Sequence, residues 1–391
     1  MAVTTTSAPP SWCRGDLEER AWAIGVEVAS VYADEVDRDA RFPAEAVDAM
    51  RAAGLLSAMI PTEFGGGGAA LASVATAVRA LAYHCSASAL VLAMHQIEVW
   101  YLKLFGETDG LREVLTKVVT DGWLVANANS EVGLGSDVGR SFAAVEPNGD
   151  AFHLEKETLA VSYGADTDAL ILNARRDPDA AETEQVLVCL RPGTFRLEQT
   201  STWDTMGLRG TCSSGYRVIA DEAADMVFPT PWRTIAQHSV GASTIFLNSV
   251  WLGIAESAAA RAHTYVRAEA RRKIGTVPPS AALLAQVAVT LGQARGVMES
   301  AIRSYEAVVG TEDIDAPSVL LALRNLKLSE TTLAIDIVTK ASLICGLAGY
   351  KRDSPYSLDR NLRDILGGPL MANNTRAAGD NAQLLVAMKS F

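Results

Sequence analysis

Cysteine is scarce and unpaired in this chain: Cys13, Cys85, Cys189, Cys212 and Cys345 make five, an odd number with no CxxC spacing. That excludes a disulfide framework and fits reduced thiols in a reducing, cytoplasmic compartment. Histidine is equally thin, with five residues, and His84 and His95 lack HExxH spacing, so no metal site is expected. A positive excess is also missing. Lys and Arg number 34 against 46 Asp and Glu, a net charge of −12, which repels a phosphate backbone and argues against nucleic acid as a partner. No cationic segment followed by an apolar run opens the chain, so no signal peptide is expected. No uninterrupted apolar run is long enough to span a bilayer. The best, residues 89–102, is broken by His95, Gln96 and Glu98 and reads as a buried helix. No membrane partner is expected.

What is present is apolar material in quantity. At 49% hydrophobic and 20% charged, the 391 residues are enough for a core divided over two or three domains. Residues 1–12 form a Thr/Ser/Pro-rich tail. Leu17, Ala21, Ile24, Val28 and Val31 then recur at helical spacing. Pro43 opens a second helix that Gly54 stops, and a long Ala-rich helical pair runs to about Phe105. The pattern changes near Trp123. Residues 142–145 and 152–154 flank Asn148-Gly149, a hairpin signal, and residues 169–172, 186–190 and 213–219 are further β-type runs. Residues 244–271, 281–309 and 318–345 return to helical spacing and are long enough to pack as a bundle. The expected organisation is α+β and multidomain: a helical domain over 13–122, a central β-barrel-like domain over 123–232 and a C-terminal four-helix bundle over 233–391.

Several segments carry groups suited to chemistry, each with a plainer alternative. Ser130 to Asp137 is a Gly-containing loop after a β-type run, but Val138 stands where the third glycine of a dinucleotide fingerprint belongs. Such a loop presents backbone N–H groups and hydroxyls to a polar ligand, or is a surface turn. Gly65 to Gly68 lacks the GK[ST] ending of a phosphate loop and reads as a turn. Residues 203–213 mix turn residues, an aromatic ring and hydroxyls. Arg271, Arg272 and Lys273 close a helix, either complementing its dipole or clamping a phosphate.

Taken in order, these segments resemble the acyl-CoA dehydrogenase superfamily over nearly the whole chain. Phe42-Pro43, Ala53-Gly54-Leu55-Leu56 and Ile60-Pro61-Thr62-Glu63-Phe64-Gly65-Gly66 resemble its N-terminal helical signature. Ser130-Glu131 through Gly135-Ser136-Asp137 is similar to its TEPGAGSD loop, and Trp203 with residues 206–211 to its WxxLGMRGT segment. Residues 271–275 resemble RxxFG, with Ile274 for Phe; Gly346, Gly349 and Tyr350 resemble the end of QxxGGxGY; Arg363-Asp364 matches the RD pair. The resemblance implies an FAD-dependent oxidoreductase. Asn127, Ser130, Gly135, Ser136, Val161 and Ser162 would lie along the flavin and substrate cleft. Arg271, Ile274, Gly346 and Gly349 would meet the dinucleotide across a subunit interface, in a homotetramer or homodimer.

The pattern also departs from the family. The glutamate that removes a substrate α-proton would fall eight residues after Asp364, at Ala372, and alanine accepts no proton. The helix before Arg271 offers no carboxylate at residues 245–250. The Trp and Thr that flank the flavin fall at Leu159 and Val161, and the glutamine of QxxGG at Leu343. Asn373, Asn374 and Arg376 occupy the catalytic segment instead, as substrate-orienting groups or as helix-capping and solvated ones. Three functions follow. One is desaturation of an acyl group on CoA or a carrier protein, with a non-standard base and an electron acceptor protein. Another is hydroxylation by a monooxygenase of the same fold, using reduced FMN or FADH2 supplied by a flavin reductase, with His95 as a catalytic candidate or else a hydrogen-bonded core histidine. The last is a non-catalytic homologue that binds a thioester or a partner.

Overall fold

In the computed structural model, residues 8–135, 137–272, 274–371 and 373–388 are described. Ser136, among the cofactor candidates, and Ala372 lie outside them. The chain opens with α1 (Asp16–Ile24), a π-helical turn (Gly25–Ala29) and α2 (Ser30–Asp39), followed by α3 (Ala44–Ala52), α4 (Leu71–Ala82), α5 (Ser86–Phe105) and α6 (Asp109–Thr120). The π turn corrects the expected first helix. It adds a residue to the helical repeat, so the buried stripe moves from Leu17, Ala21 and Ile24 to Ala29, Ala33 and Val36, and Val31 is left 65% exposed. Gly54 ends the α3 segment at φ +72°, a conformation that glycine adopts without a Cβ clash.

The strands are β1 (Val125–Asn127), β2 (Glu146–Asn148), β3 (Ala151–Thr158), β4 (Ala169–Arg175), β5 (Gln185–Leu190), β6 (Phe195–Ser201) and β7 (Gly215–Ala223). Among the described residues they form two sheets, β1-β4-β5 and β2-β3-β7-β6, with β1 parallel to β4 and the other pairs antiparallel. The hairpin expected at Asn148-Gly149 turns one residue later. Asn148 pairs with Ala151, and Gly149 alone takes a positive φ, the requirement of a type II′ turn. Residues 142–145 make only an isolated bridge, Ala144 to Arg175, because β2 starts at Glu146.

Three long helices follow: α7 (Trp232–Arg272), α8 (Ala281–Glu306) and α9 (Pro317–Cys345), then α10 (Leu347–Tyr350), α11 (Asp359–Ile365) and α12 (Asn374–Ala387). By length and composition α8, expected as a bundle helix, is also apolar enough to cross a membrane, but here it packs on α7 and α9. A large core runs through helices and sheets, with Trp251, Tyr163, Tyr305, Phe228 and Phe246 fully buried, and a small second cluster holds Ala29, Ala33, Val36, Ala46, Cys85 and Ala87. The Arg363-Asp364 pair of α11 ties these parts together. Arg363 bonds the Asp37 carboxylate at 2.6 and 2.8 Å and the Met206 carbonyl at 2.8 Å. Asp364 accepts the Leu208 N–H at 2.7 Å and the Ser86 hydroxyl. This motif therefore fixes the 203–211 loop against α2 and the start of α5.

Candidate functional site

The floor of the site is the segment that leaves β1. Asn127 is half-buried; its Nδ2 donates to Glu98 Oε1 at 2.8 Å, and its Oδ1 accepts the Asn129 N–H at 3.1 Å. Glu98 is fully buried on α5, its Oε2 has no partner, and burial holds its pKa well above the usual carboxylate range, only partly offset by Asn127. It is a neutral acid behind the amide. Lys156 lies beneath the next residues. Its Nζ donates to the Asn173 carbonyl and Oδ1 at 2.8 Å each and to the Asn129 carbonyl at 3.3 Å, with Glu131 Oε2 3.8 Å away. Burial pushes Lys156 down to about 7, outweighing the Glu131 charge. Glu131 in turn accepts the Ser141 hydroxyl and the N–H groups of Phe142 and Ala143. Polar groups thus hold the loop from below.

The wall consists of hydroxyls whose protons are already used. Thr211 donates to the Leu208 carbonyl at 2.9 Å, so it accepts from Ser213 at 2.8 Å, and Ser213 then accepts from Ser162 at 2.9 Å. Ser130 donates to the Ala160 carbonyl at 3.2 Å and accepts its N–H at 3.3 Å. Both Ser162 and Ser130 therefore face a ligand as acceptors. Val161 is fully buried; its backbone N–H donates to the Ser214 carbonyl at 2.8 Å and its carbonyl accepts the Gly164 N–H at 3.1 Å. Gly135, at φ +61°, has open space where a Cβ would stand.

The C-terminal segment meets this loop. Arg376 Nη2 lies 3.2 Å from Asp137 Oδ1, although 239 residues separate them. Asn373 is the N-cap of α12: its Oδ1 accepts the N–H groups of Thr375 and Arg376 at 3.0 and 3.4 Å. Asn374 Nδ2 donates to Thr331 Oγ1 at 2.9 Å, and its buried Oδ1 is unpartnered. Arg376 therefore meets the loop, while the side chain of Asn374 is bonded to Thr331 and that of Asn373 is spent on capping. His95 does not reach it. It is fully buried; its Nδ1 accepts the Val125 N–H at 3.0 Å, so its Nε2–H donates to the Leu56 carbonyl at 2.9 Å. Burial lowers it to about 4, leaving a neutral imidazole that fastens α5 to β1. Both of its ring nitrogens are thus held by backbone groups.

The dinucleotide candidates lie apart from the floor. Arg271 is exposed at the end of α7, Ile274 is 93% exposed, and Gly346 at φ +54° leaves open space at the end of α9. Gly349 is buried, and a Cβ there would approach Cys345 Cβ at 2.7 Å, so it serves packing within the chain. Sequence reasoning missed Glu98 and Lys156. The signals were a carboxylate inside an otherwise apolar helix and a lysine at an inward position of an alternating strand.

The description of the acyl-CoA dehydrogenase N-terminal domain matches residues 19–140, and that of the acyl-CoA dehydrogenase C-terminal domain matches residues 245–368. The chain belongs to the acyl-CoA dehydrogenase family. It is by that membership a flavin-dependent oxidoreductase. Among curated relatives, the probable acyl-CoA dehydrogenase FadE25 of Mycobacterium tuberculosis is 25% identical over 356 residues, covering 88% of this chain and 87% of the relative. Among solved structures, butyryl-CoA dehydrogenase from Megasphaera elsdenii is similar in fold, with a TM-score of 0.83 at 21% identity over 95% of this chain and 97% of that one. FMN-bound TdsC from Paenibacillus sp. A11-2 is as similar, with a TM-score of 0.83 at 20% identity over 94% and 97%. The residues present suit a flavin: hydroxyl acceptors on one wall, open ground over two glycines and an exposed arginine.

Proposed function

We propose that this protein oxidises an acyl thioester or a related small molecule by a flavin-dependent reaction whose base does not stand at position 372. The observation that carries this reading is the meeting of the Asn127–Asp137 loop with Arg376. It puts amide, hydroxyl and guanidinium groups on one site beside the proposed flavin wall. Bound flavin supplies the two-electron acceptor. Ser130, Ser162 and Gly135 line it, Gly346 leaves room for the dinucleotide, and Arg271 meets its pyrophosphate. Asn374 and Arg376 orient the substrate carbonyl or carboxylate. The assembly is a cytoplasmic homotetramer or homodimer that covers the exposed Leu343, Leu347 and Tyr350, and an electron acceptor protein reoxidises it.

A second reading, oxygenation with reduced flavin delivered by a reductase, is favoured by the direction of the hydroxyl relay. Ser162 has spent its proton on Ser213 and offers only lone pairs, which suit a ligand N–H of the kind a reduced flavin carries. The visible absorption spectrum before and after dialysis separates the two. A yellow protein that retains about one flavin per chain and reduces an artificial acceptor with acyl thioesters supports dehydrogenation. A colourless protein that prefers reduced to oxidised flavin and consumes oxygen sinks that reading and supports the second.

Replacing Arg271 with Ala is expected to weaken flavin binding about tenfold or more, since a charge-assisted hydrogen bond contributes about 1.5–3 kcal/mol. Flavin affinity measured by fluorescence quenching checks it. An unchanged dissociation constant removes Arg271 from the flavin site.

A further inference from the structure

A small cleft of about 10 Å³, partly open to solvent, lies between the α4–α5 turn, α7 and α11. Its lining includes His84, Ser86, Ser257, Arg261, Arg360 and Asn361. Arg360 Nε donates to Asp34 Oδ1 at 2.8 Å. Arg261 has no such partner: it donates to the Ser357 carbonyl, and no ion pair with a carboxylate is found for it among the described residues. Burial, and after it the neighbouring charge of Arg360, brings Arg261 down to about 10. Two guanidinium groups therefore repel each other in a poorly hydrated place.

His84 adds a second, independent observation. It is 5% exposed, and neither ring nitrogen has a hydrogen-bond partner. The ring is clamped in place. Trp22 and Tyr83 pack on it with centroids at 4.6 and 5.1 Å, and a Cβ on Gly25, where the π-helical turn begins, would lie 2.3 Å from its Cδ2. Leaving buried polar atoms unpaired is costly, so native proteins rarely keep them without an occupant. Asp364 also lines the cavity, but its oxygens are committed to Ser86 and Leu208. The 20-residue helix α5 begins at the same cavity, at Ser86, with the positive end of its dipole.

We propose that this cavity binds a small oxyanion of the phosphate type between Arg261 and Arg360, with His84 donating one ring N–H to it. The anion relieves the repulsion of the two guanidinium groups and gives one of the two unpaired imidazole nitrogens a partner. It does so in a chain whose net charge of −12 opposes anions elsewhere.

The test uses the intact protein with inorganic phosphate as the probe, at constant ionic strength. Two readouts are followed: the thermal unfolding midpoint and the ring-nitrogen NMR resonances of His84. A saturable rise in the midpoint is expected, together with a shift of the His84 resonances over the same concentrations. In Arg261→Gln the apparent affinity falls about tenfold or more, as loss of a charged hydrogen bond implies. Unmoved His84 resonances at saturating phosphate overturn the proposal, and they also expose phosphate that binds at Arg271 instead. A rise that never saturates, equal in the native protein and Arg261→Gln, is a general salt effect and overturns it too. Chloride matching phosphate at every concentration overturns the oxyanion assignment. If Arg261→Gln fails to fold, the His84 resonances of the native protein decide the question.

Discussion

Lys156→Met is expected to destabilise the β-region by about 3 kcal/mol or more, because each buried acceptor left without its donor costs about 1–3 kcal/mol. The variant strands the carbonyls of Asn129 and Asn173 and the Oδ1 of Asn173, and it leaves buried Glu131 without its cation. The pH dependence gives a sharper signature. The Lys156 pKa is about 7 in the folded protein against 10.5 for an unperturbed lysine. Between these values the unfolded chain binds more protons, so stability rises with pH over that interval. Above 10.5 both states are neutral and the ammonium no longer penalises folding; below 7 both are charged and the penalty is complete. Lys156→Met removes this contribution to the slope. Denaturant unfolding at several pH values from 7 to 10.5 measures it. An unchanged slope with a loss below about 1 kcal/mol would show that the lysine is not the buried cation described.

The second large effect is expected at Arg363. Breaking a mostly buried ion pair by removing one partner costs about 3–5 kcal/mol. Arg363 and Asp37 are 17% and 18% exposed, so solvent screening trims this toward the lower end. Arg363→Ala leaves Asp37 unpaired, leaves Asp359 with Arg352 alone and frees the Met206 carbonyl. Arg363→Lys recovers charge but not the fork that spans two carboxylates. Chemical denaturation should therefore rank native above Lys above Ala, with amide hydrogen exchange rising across 203–211. Exchange unchanged in that loop would mean that Asp364 alone holds it.

Both predictions concern residues whose importance depends on what they meet. Arg363-Asp364 was legible as a motif, but not as a clasp between α2, the 203–211 loop and α5, since Asp37 lies 326 residues away. Lys156 lies two residues past the 152–154 run that the sequence marks as β-type. Only the register of β3 against β7, with Lys156 opposite Val218, turns it inward beneath Asn129. His95 was legible as a polar group on a buried helix, but its two backbone partners, 39 and 30 residues away, were not. Asn373 was legible as a possible cap, and its positive φ with two accepted N–H groups made it one.

The sequence by itself determined what depends on local chemistry and spacing. Apolar periodicity placed α8 and α9, which begin at Ala281 and Pro317, within a residue of expectation, whereas α7 begins at Trp232, well before the expected 244. Alternation and Gly149 placed the hairpin, and the ordered motifs identified the family. Tertiary structure alone decided the rest. The π turn that rotates the first helix leaves no compositional trace, because it answers the packing of Gly25 on His84. Protonation is likewise decided by burial: Glu98 is neutral and His84 falls to about 4 because folding takes both from water. Spacing along a chain fixes which groups share a helix face, but how far water is excluded from them depends on elements hundreds of residues apart.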